Sequence, residues 1–338
     1  MRKLRMAILG CGRISYKHVE AIVQNKDVIE LVAVCDIVES RAVDRKKQYE
    51  QIISNSNISV YTDYKEMLKI EAIDAVAIAT ESGYHAKHAL YCLELKKHII
   101  VEKPMAMSVE DAQQMIVSAE RNGVKLAVSH QNRFNAPIQK LRRAIEEGRF
   151  GRIINGTARV LWTRDDHYYK QAPWRGTKEL DGGTLMNQCI HNIDLLQWMM
   201  NSDVIRVHAE RDTFLRDIEM EDFGALLLRF DSGAIGIVEG SACVYPRNLE
   251  ETLSIFGEKG TVVIGGLAVN EIKVWQFEDE RDYDLLDTNT SVDSVYGVGH
   301  TPLYQDFYEA IHQNRKPYVD GNDGIRALKI IRKAYEIS

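Results

Sequence analysis

The side chains best suited to chemistry in this sequence fall in three places. One is Glu102-Lys103-Pro104, directly after the apolar run His98 to Val101. An ammonium at the end of a buried strand can hold an oxygen on which negative charge develops, and a cationic ring beside it lowers its pKa by like-charge repulsion. Pro104 makes a cis Lys103-Pro104 bond accessible, because X-Pro bonds prefer trans by only about 0.5–1 kcal/mol, and such a turn aims the lysine into a cleft. A solvated loop lysine is the plain alternative.

A second place is Gly182 to Asp194. Asn187 and His191 are four residues apart and Asp194 follows three later, so on a single helix, expected over Leu185 to Met200, the three share a face. Their neighbours are apolar, and a polar stripe there is costly unless it faces a cleft or is paired internally. Histidine suits a general base near neutral pH, its ordinary pKa being about 6.5 against about 10.4 for lysine. Asn187 can orient a hydroxyl or the imidazole without supplying charge. No further ligand spacing accompanies this histidine, so no metal is expected.

The third place is the turn Gly10-Cys11-Gly12-Arg13-Ile14-Ser15. It lies between a strand over Leu4 to Leu9 and a second over Glu30 to Cys35 that ends at Asp36. Strand, glycine turn, helix, strand and acid, in that order, open a dinucleotide-binding βαβ unit, even with Ser15 in place of a third glycine. Gly10 permits the tight turn. Gly12 lets the backbone approach a pyrophosphate seated on the N–H groups of the helix that begins near Arg13 and Ile14. Asp36 suits the ribose diol and repels a 2'-phosphate, which favours NAD over NADP, although Arg41 lies nearby.

The elements that must carry these residues change character midway. Up to Ser129, β-branched strands alternate with helical stretches, as in a doubly wound parallel sheet. Asp63 is placed to cap one helix, and Ser108 with Asp111 to begin another. From His130 onward, strands such as Val204 to Asp212 and Ala225 to Phe230 are joined by tight turns like Asp231-Ser232-Gly233. The fold class expected is therefore an α/β Rossmann domain, residues 1–129, followed by an α+β domain with a large, mostly antiparallel open sheet, residues 130–338. An open sheet has a face to cover, so a homodimer or homotetramer is expected. The five cysteines are scattered and form no C-x-x-C pair, which reads as small core hydrophobes rather than disulfides or zinc ligands. A formal net charge of -6 without basic runs argues against nucleic acid as a partner. No segment has the roughly 20 apolar residues of a membrane span, and Met1-Arg2-Lys3 leads into a strand rather than a signal sequence, so a cytoplasmic protein is expected.

The glycine turn, Glu102-Lys103-Pro104 and the Gly183 to Asp194 segment, in that order over essentially the whole chain, resemble the Gfo/Idh/MocA family of two-domain NAD(P)-dependent sugar and cyclitol oxidoreductases. The resemblance implies that Lys103 is the catalytic lysine and His191 the acid/base histidine. It also implies a nicotinamide and adenosine site built from Gly10, Gly12, Arg13, Ile14, Asp36, Thr80, His85, Glu102, Lys103, Gln131 and Asn132. Asn187 stands where the family usually has Asp, and Thr80-Glu81 where it usually has Thr-Pro. Longer stretches, Gln131 to Asn135, Tyr168 to Thr177 and Met186 to Trp198, are similar to bacterial nucleotide-sugar 3-dehydrogenases acting on UDP-N-acetylglucosamine or its uronate. By that likeness Arg133, Asn135, Tyr168, Trp174, Arg175, Asn187 and His191 contact the substrate. Arginines suit a carboxylate or pyrophosphate, and the aromatics can stack on a ring. An inositol or free-sugar dehydrogenase is the alternative. A non-enzymatic NAD-dependent sensor would need neither Lys103 nor His191.

Overall fold

Apolar residues that are buried on both sides build the first sheet, and the helices between its strands bury one face each. In the computed structural model, which describes residues 2–54, 56–69, 72–292 and 294–337, the chain begins β1 (Leu4–Leu9), α1 (Ser15–Gln24), β2 (Ile29–Cys35), α2 (Glu39–Glu50), β3 (Ser59–Tyr61) and α3 (Tyr64–Met67). It continues β4 (Ala75–Ile78), α4 (His85–Glu94), β5 (His98–Val101), α5 (Val109–Asn122) and β6 (Leu126–Val128). The strands pair in parallel in the order β3-β2-β1-β4-β5-β6, the doubly wound arrangement whose strand order reverses beside β1. Both caps form as expected. Asp63 accepts from the Lys65 N–H at 2.7 Å, and Ser108 Oγ accepts from the Asp111 N–H at 3.0 Å.

The second unit contains α6 (Ala136–Glu146), β7 (Ile153–Leu161), α7 (Asp166–Lys170), α8 (Thr184–Asn187) and α9 (Ile190–Met200). Then come β8 (Val204–Asp212), β9 (Phe223–Phe230), β10 (Ile235–Ser241), β11 (Glu250–Gly257), β12 (Gly260–Gly265) and β13 (Glu271–Phe277). Two helices, α10 (His300–His312) and α11 (Gly321–Glu336), end the chain. The sheet runs β13-β12-β11-β7-β10-β9-β8. It is antiparallel except where β7 and β10 lie parallel, Thr157 opposite Ile237. Alternation along β9 and β10 buries Leu226, Leu228 and Val238 on the helix-covered face and leaves Leu227 and Ile237 on the other.

The compact units are Met1–His130 with His300–Ile325, and Gln131–Gly299 with Arg326–Ser338. The first boundary falls beside the expected one, but the expected second domain, 130–338, is not continuous. Residues 300–325 return to the parallel sheet, where the Val128 N–H donates to the Val319 carbonyl at 3.1 Å and covers the edge of β6. All five cysteines are free, as their spacing indicates. Among the described residues no helix is long and apolar enough to cross a membrane.

The tightest approach in the first unit is at Gly10, whose φ is +92°. A Cβ there would lie 2.5 Å from the Ala79 carbonyl carbon and oxygen and from the Thr80 nitrogen. Gly10→Ala combines an unfavourable φ with a backbone clash, and is expected to destabilise the protein by well over about 1 kcal/mol and to weaken NAD binding. Thermal unfolding and NAD titration of that variant check this; wild-type values in both would show that the turn has room to shift.

Candidate active site

The glycine turn is organised by a carboxylate. Asp36, only 8% exposed, accepts the Cys11 N–H on one oxygen at 2.8 Å and the Val38 N–H on the other, also at 2.8 Å. This holds the turn after β1 against the end of β2. At Gly12 a Cβ would meet nothing within 4 Å, so the backbone is open there. The N-cap of α1 is Ile14, which has no side chain to cap with, and its first turn carries no acidic residue. A helix N-terminus without a side-chain cap or an acidic first turn, beside an open glycine, fits a pyrophosphate. The residues present therefore suit a dinucleotide, with Arg13 exposed at the rim.

The lysine turn follows β5, and the Lys103-Pro104 bond is cis, as the sequence suggests. Glu102 lies beneath it. One carboxylate oxygen accepts from the Lys103 N–H at 3.3 Å, and the other lies 3.2 Å from His18 Nε2 and 3.5 Å from His300 Nε2. Burial alone would raise the Glu102 pKa, but the two histidines together hold it well below the usual carboxylate range. On the far side of the turn, the buried His85 ring bridges backbone carbonyls. Its Nδ1 is 2.7 Å from the Pro104 oxygen and its Nε2 3.0 Å from that of Thr80. His85, expected beside the cofactor, thus braces the lysine turn. Thr80 Oγ1 lies 3.1 Å from His88 Nδ1.

In the second unit, the single helix expected over Leu185 to Met200 is divided into α8 and α9. The Thr184 carbonyl accepts from both the Gln188 and Cys189 N–H groups, at 2.9 and 3.0 Å. That doubled acceptor slips the helical register by one residue. Asn187 therefore closes the short helix while His191 lies in the first turn of the next. The Asn187 amide donates to Asp181, whose other oxygen accepts the Gly176 N–H at 2.6 Å. Asp181 went unnoticed in the sequence, its one signal being a position just before Gly182-Gly183. His191 is buried, with 9% exposure.

Asp194 does not join a polar stripe. It forms a two-point ion pair with Arg133, Nε to Oδ2 at 2.7 Å and Nη2 to Oδ1 at 2.6 Å, and both side chains are almost wholly buried. The Arg133 guanidinium also lies 4.7 Å from the Trp198 ring centroid. Arg133, expected to touch substrate, is thus held in the interior of its unit. Asn135 is likewise engaged, donating to the Ala268 carbonyl at 2.8 Å. Gln131 and Asn132 are buried and group with this second unit.

The other residues expected at the substrate cluster together. The Arg175 guanidinium stacks 4.2 Å from the Tyr168 ring and 4.9 Å from that of Trp174. Arg164, which the sequence reading passed over, lies 5.1 Å from Tyr168 and 4.6 Å from Trp162. Tyr168 OH also accepts from Gln188 at 3.5 Å. Among the described residues neither Arg164 nor Arg175 has a carboxylate within ion-pair distance, and the Nε of each is buried without a hydrogen-bond partner. Arg175, stacked on aromatic faces with no carboxylate at ion-pair distance, suits an anionic ligand, whereas the charge of Arg164 already acts on Glu251.

Residues 4–130 match the oxidoreductase family model with an NAD-binding Rossmann fold, and residues 138–263 match the GFO/IDH/MocA C-terminal domain. The chain belongs to the Gfo/Idh/MocA family. Like its relatives, this Gfo/Idh/MocA enzyme is an NAD-dependent oxidoreductase. It is 38% identical to the WlbA dehydrogenase from Bordetella pertussis, solved in complex with NADH and UDP-GlcNAcA, covering 99% of this chain and 96% of that one with a TM-score of 0.88. The WlbA dehydrogenase from Chromobacterium violaceum, solved with the same two ligands, is 37% identical over 100% of this chain and 94% of that one, with a TM-score of 0.90. Myo-inositol 2-dehydrogenase from Thermotoga maritima is 25% identical over 96% of this chain and 93% of its own length.

One further acid of this Gfo/Idh/MocA chain titrates unusually. Glu251 on β11 is 2% exposed and accepts from the Asn132 amide at 3.2 Å. Burial pushes its pKa up to about 8, against an opposing contribution from Asn192. A folded pKa above the unfolded value means that stabilisation present at low pH is lost as pH rises, here from about 4.5 to about 8. Glu251→Gln keeps the shape of the neutral acid and removes this dependence. Urea unfolding at pH 5 and pH 8 is expected to show the variant gaining on the wild type at the higher pH. Parallel stabilities at both values would show that Glu251 is ionised throughout.

Proposed function

We propose that this enzyme oxidises a ring hydroxyl, at the third carbon, of a UDP-N-acetyl amino sugar or its uronate. The observation that carries this reading is the Tyr168, Trp174 and Arg175 cluster, in which a stacked guanidinium without a carboxylate partner suits a uronate or pyrophosphate. The 38% identity to a dehydrogenase solved with UDP-GlcNAcA supports it. Arg133 has no part in it, since its guanidinium is bound to Asp194. The same reading takes the outward face of the antiparallel sheet, with Leu227 and Ile237 side by side, as a contact in a homodimer or homotetramer, since half-exposed apolar neighbours gain by burial.

Each step then belongs to a named side chain. The turn at Gly10 and Gly12, with Arg13 and Ile14, receives the pyrophosphate. Asp36 takes the ribose diol and repels a 2'-phosphate, which selects NAD. Thr80, which follows β4, and Gln131 and Asn132, which follow β6, are assigned to the nicotinamide. Bound NAD supplies the hydride acceptor. Lys103 holds the substrate hydroxyl oxygen and stabilises the negative charge that grows on it as the proton leaves. His191 takes that proton, being the base whose ordinary pKa lies near neutrality. Asn187, its amide oriented by Asp181, positions the hydroxyl without adding charge.

Lys103→Ala and His191→Ala are each expected to lower kcat by orders of magnitude, about 10²-fold or more, with NAD affinity nearly unchanged. Steady-state kinetics with calorimetric NAD titration decides it, and wild-type turnover in either variant removes that residue from the mechanism.

UDP alone is expected to compete with the substrate, because the nucleotide supplies contacts remote from the reacting carbon. Arg175→Ala should raise the KM for the UDP-sugar without altering NAD affinity. Efficient oxidation of free inositol, with UDP having no effect on the rate, would instead favour a cyclitol dehydrogenase, the activity named for the Thermotoga relative.

A further inference from the structure

A buried polar cluster in the first unit gathers residues that are far apart in the chain. His18 closes the first turn of α1, Glu102 starts the lysine turn, and His300 and Tyr304 occupy successive turns of α10. All are buried, Tyr304 and His18 completely. His18 Nδ1 is 2.7 Å from Tyr304 Oη, and the His18 and His300 rings meet edge to face at 5.4 Å. Both rings direct Nε2 at the same Glu102 oxygen, from 3.2 and 3.5 Å. The other oxygen accepts from the Lys103 backbone N–H at 3.3 Å.

We propose that His18, His300 and Tyr304 are positioning residues that act through Glu102 to set the backbone of Lys103, and so couple the helix facing the pyrophosphate to the lysine turn. The inference rests on Lys103 acting in the reaction as described above.

A buried carboxylate with only one partner turns about its own side-chain torsions, and the peptide it holds turns with it. Here two rings from different helices fix one oxygen. The plane of the carboxylate is then set, and with it the direction from which the Lys103 N–H is held. Tyr304 completes the arrangement. With its hydroxyl hydrogen given to His18 Nδ1, the imidazole carries its own hydrogen on Nε2, facing Glu102. The carboxylate is thereby kept anionic, the form that draws both rings to within ion-pair distance while it accepts from the Lys103 N–H. His85, holding the Pro104 carbonyl from the opposite side, leaves the turn clamped at both ends.

The test uses leucine and glutamine at both histidines. Glutamine places an amide N–H close to where Nε2 lies, whereas leucine fills space and donates nothing. His18→Leu and His300→Leu are expected to lower kcat per NADH-binding site by about tenfold to a hundredfold, the scale on which misplacing a catalytic group acts. The KM for the sugar substrate should change little, and the glutamine variants should recover most of the loss. Tyr304→Phe, which preserves the packing, should lower kcat severalfold and serves if a leucine variant does not fold. Leucine and glutamine variants that share one kcat per site, or a wild-type kcat in Tyr304→Phe, would overturn the proposal. Lys103→Ala separates the two readings. If it turns over normally, the role of the lysine fails. If it is inactive while the histidine variants are normal, only the coupling fails.

Discussion

A carboxylate removed from water must be surrounded by donors or lose its charge, because an isolated buried ion costs many kcal/mol. Both units of this enzyme are organised around acids that meet this demand. Asp36 takes two backbone N–H groups and thereby shapes the glycine turn. Glu102 has two histidine rings within ion-pair distance of one oxygen and accepts the Lys103 N–H on the other. Asp181 takes the Gly176 N–H and the Asn187 amide. Asp194 takes both arms of the Arg133 guanidinium. Glu251 lacks such a set of donors, and burial leaves it with a raised pKa instead. The residues assigned to the reaction are held in place largely by what these acids require.

That arrangement explains which parts of the molecule were legible in the sequence. Asp36 was found because its distance from the glycine turn is fixed by one strand, one helix and one more strand, all with clear periodicity. The turn of Lys103 was legible because it follows a short apolar strand and precedes proline, and its peptide bond is cis as expected. The partners of Glu102 were not, since His18 and His300 come from opposite ends of the chain and only the return of residues 300–325 to the parallel sheet unites them. No local pattern announces that return. α10 has the amphipathic spacing of any surface helix and packs by tertiary contact.

The division between α8 and α9 was hidden for a different reason. Apolar periodicity runs on from Leu185 to Met200, and helical propensity has nothing to object to at Gln188 or Cys189. The break arises from one carbonyl, that of Thr184, accepting twice, a choice made by the surroundings of the N-terminal turn, where the Leu185 N–H donates to the Glu221 carboxylate at 2.9 Å. Periodicity reports which side of a segment is buried. It does not report a slip of one residue, and a slip of one residue is what separates Asn187 from the helix of His191.

The arginines illustrate how residue type underdetermines role. Arg133 and Arg175 both lie in stretches that resemble nucleotide-sugar dehydrogenases, and by composition either suits an anion. Their surroundings divide them. Arg133 is neutralised by a two-point pair with Asp194, and removing either partner would strand a buried charge at a cost of several kcal/mol; its place is in holding α9. Arg175 is stacked between Tyr168 and Trp174 at partial exposure, so its charge is oriented by π-faces that leave the guanidinium edge for a ligand. A cation held by aromatics keeps more of its charge for an incoming carboxylate or phosphate than one already bound to aspartate. Arg175 is therefore better disposed toward an anion than the buried arginine beside α9, as the proposed function requires.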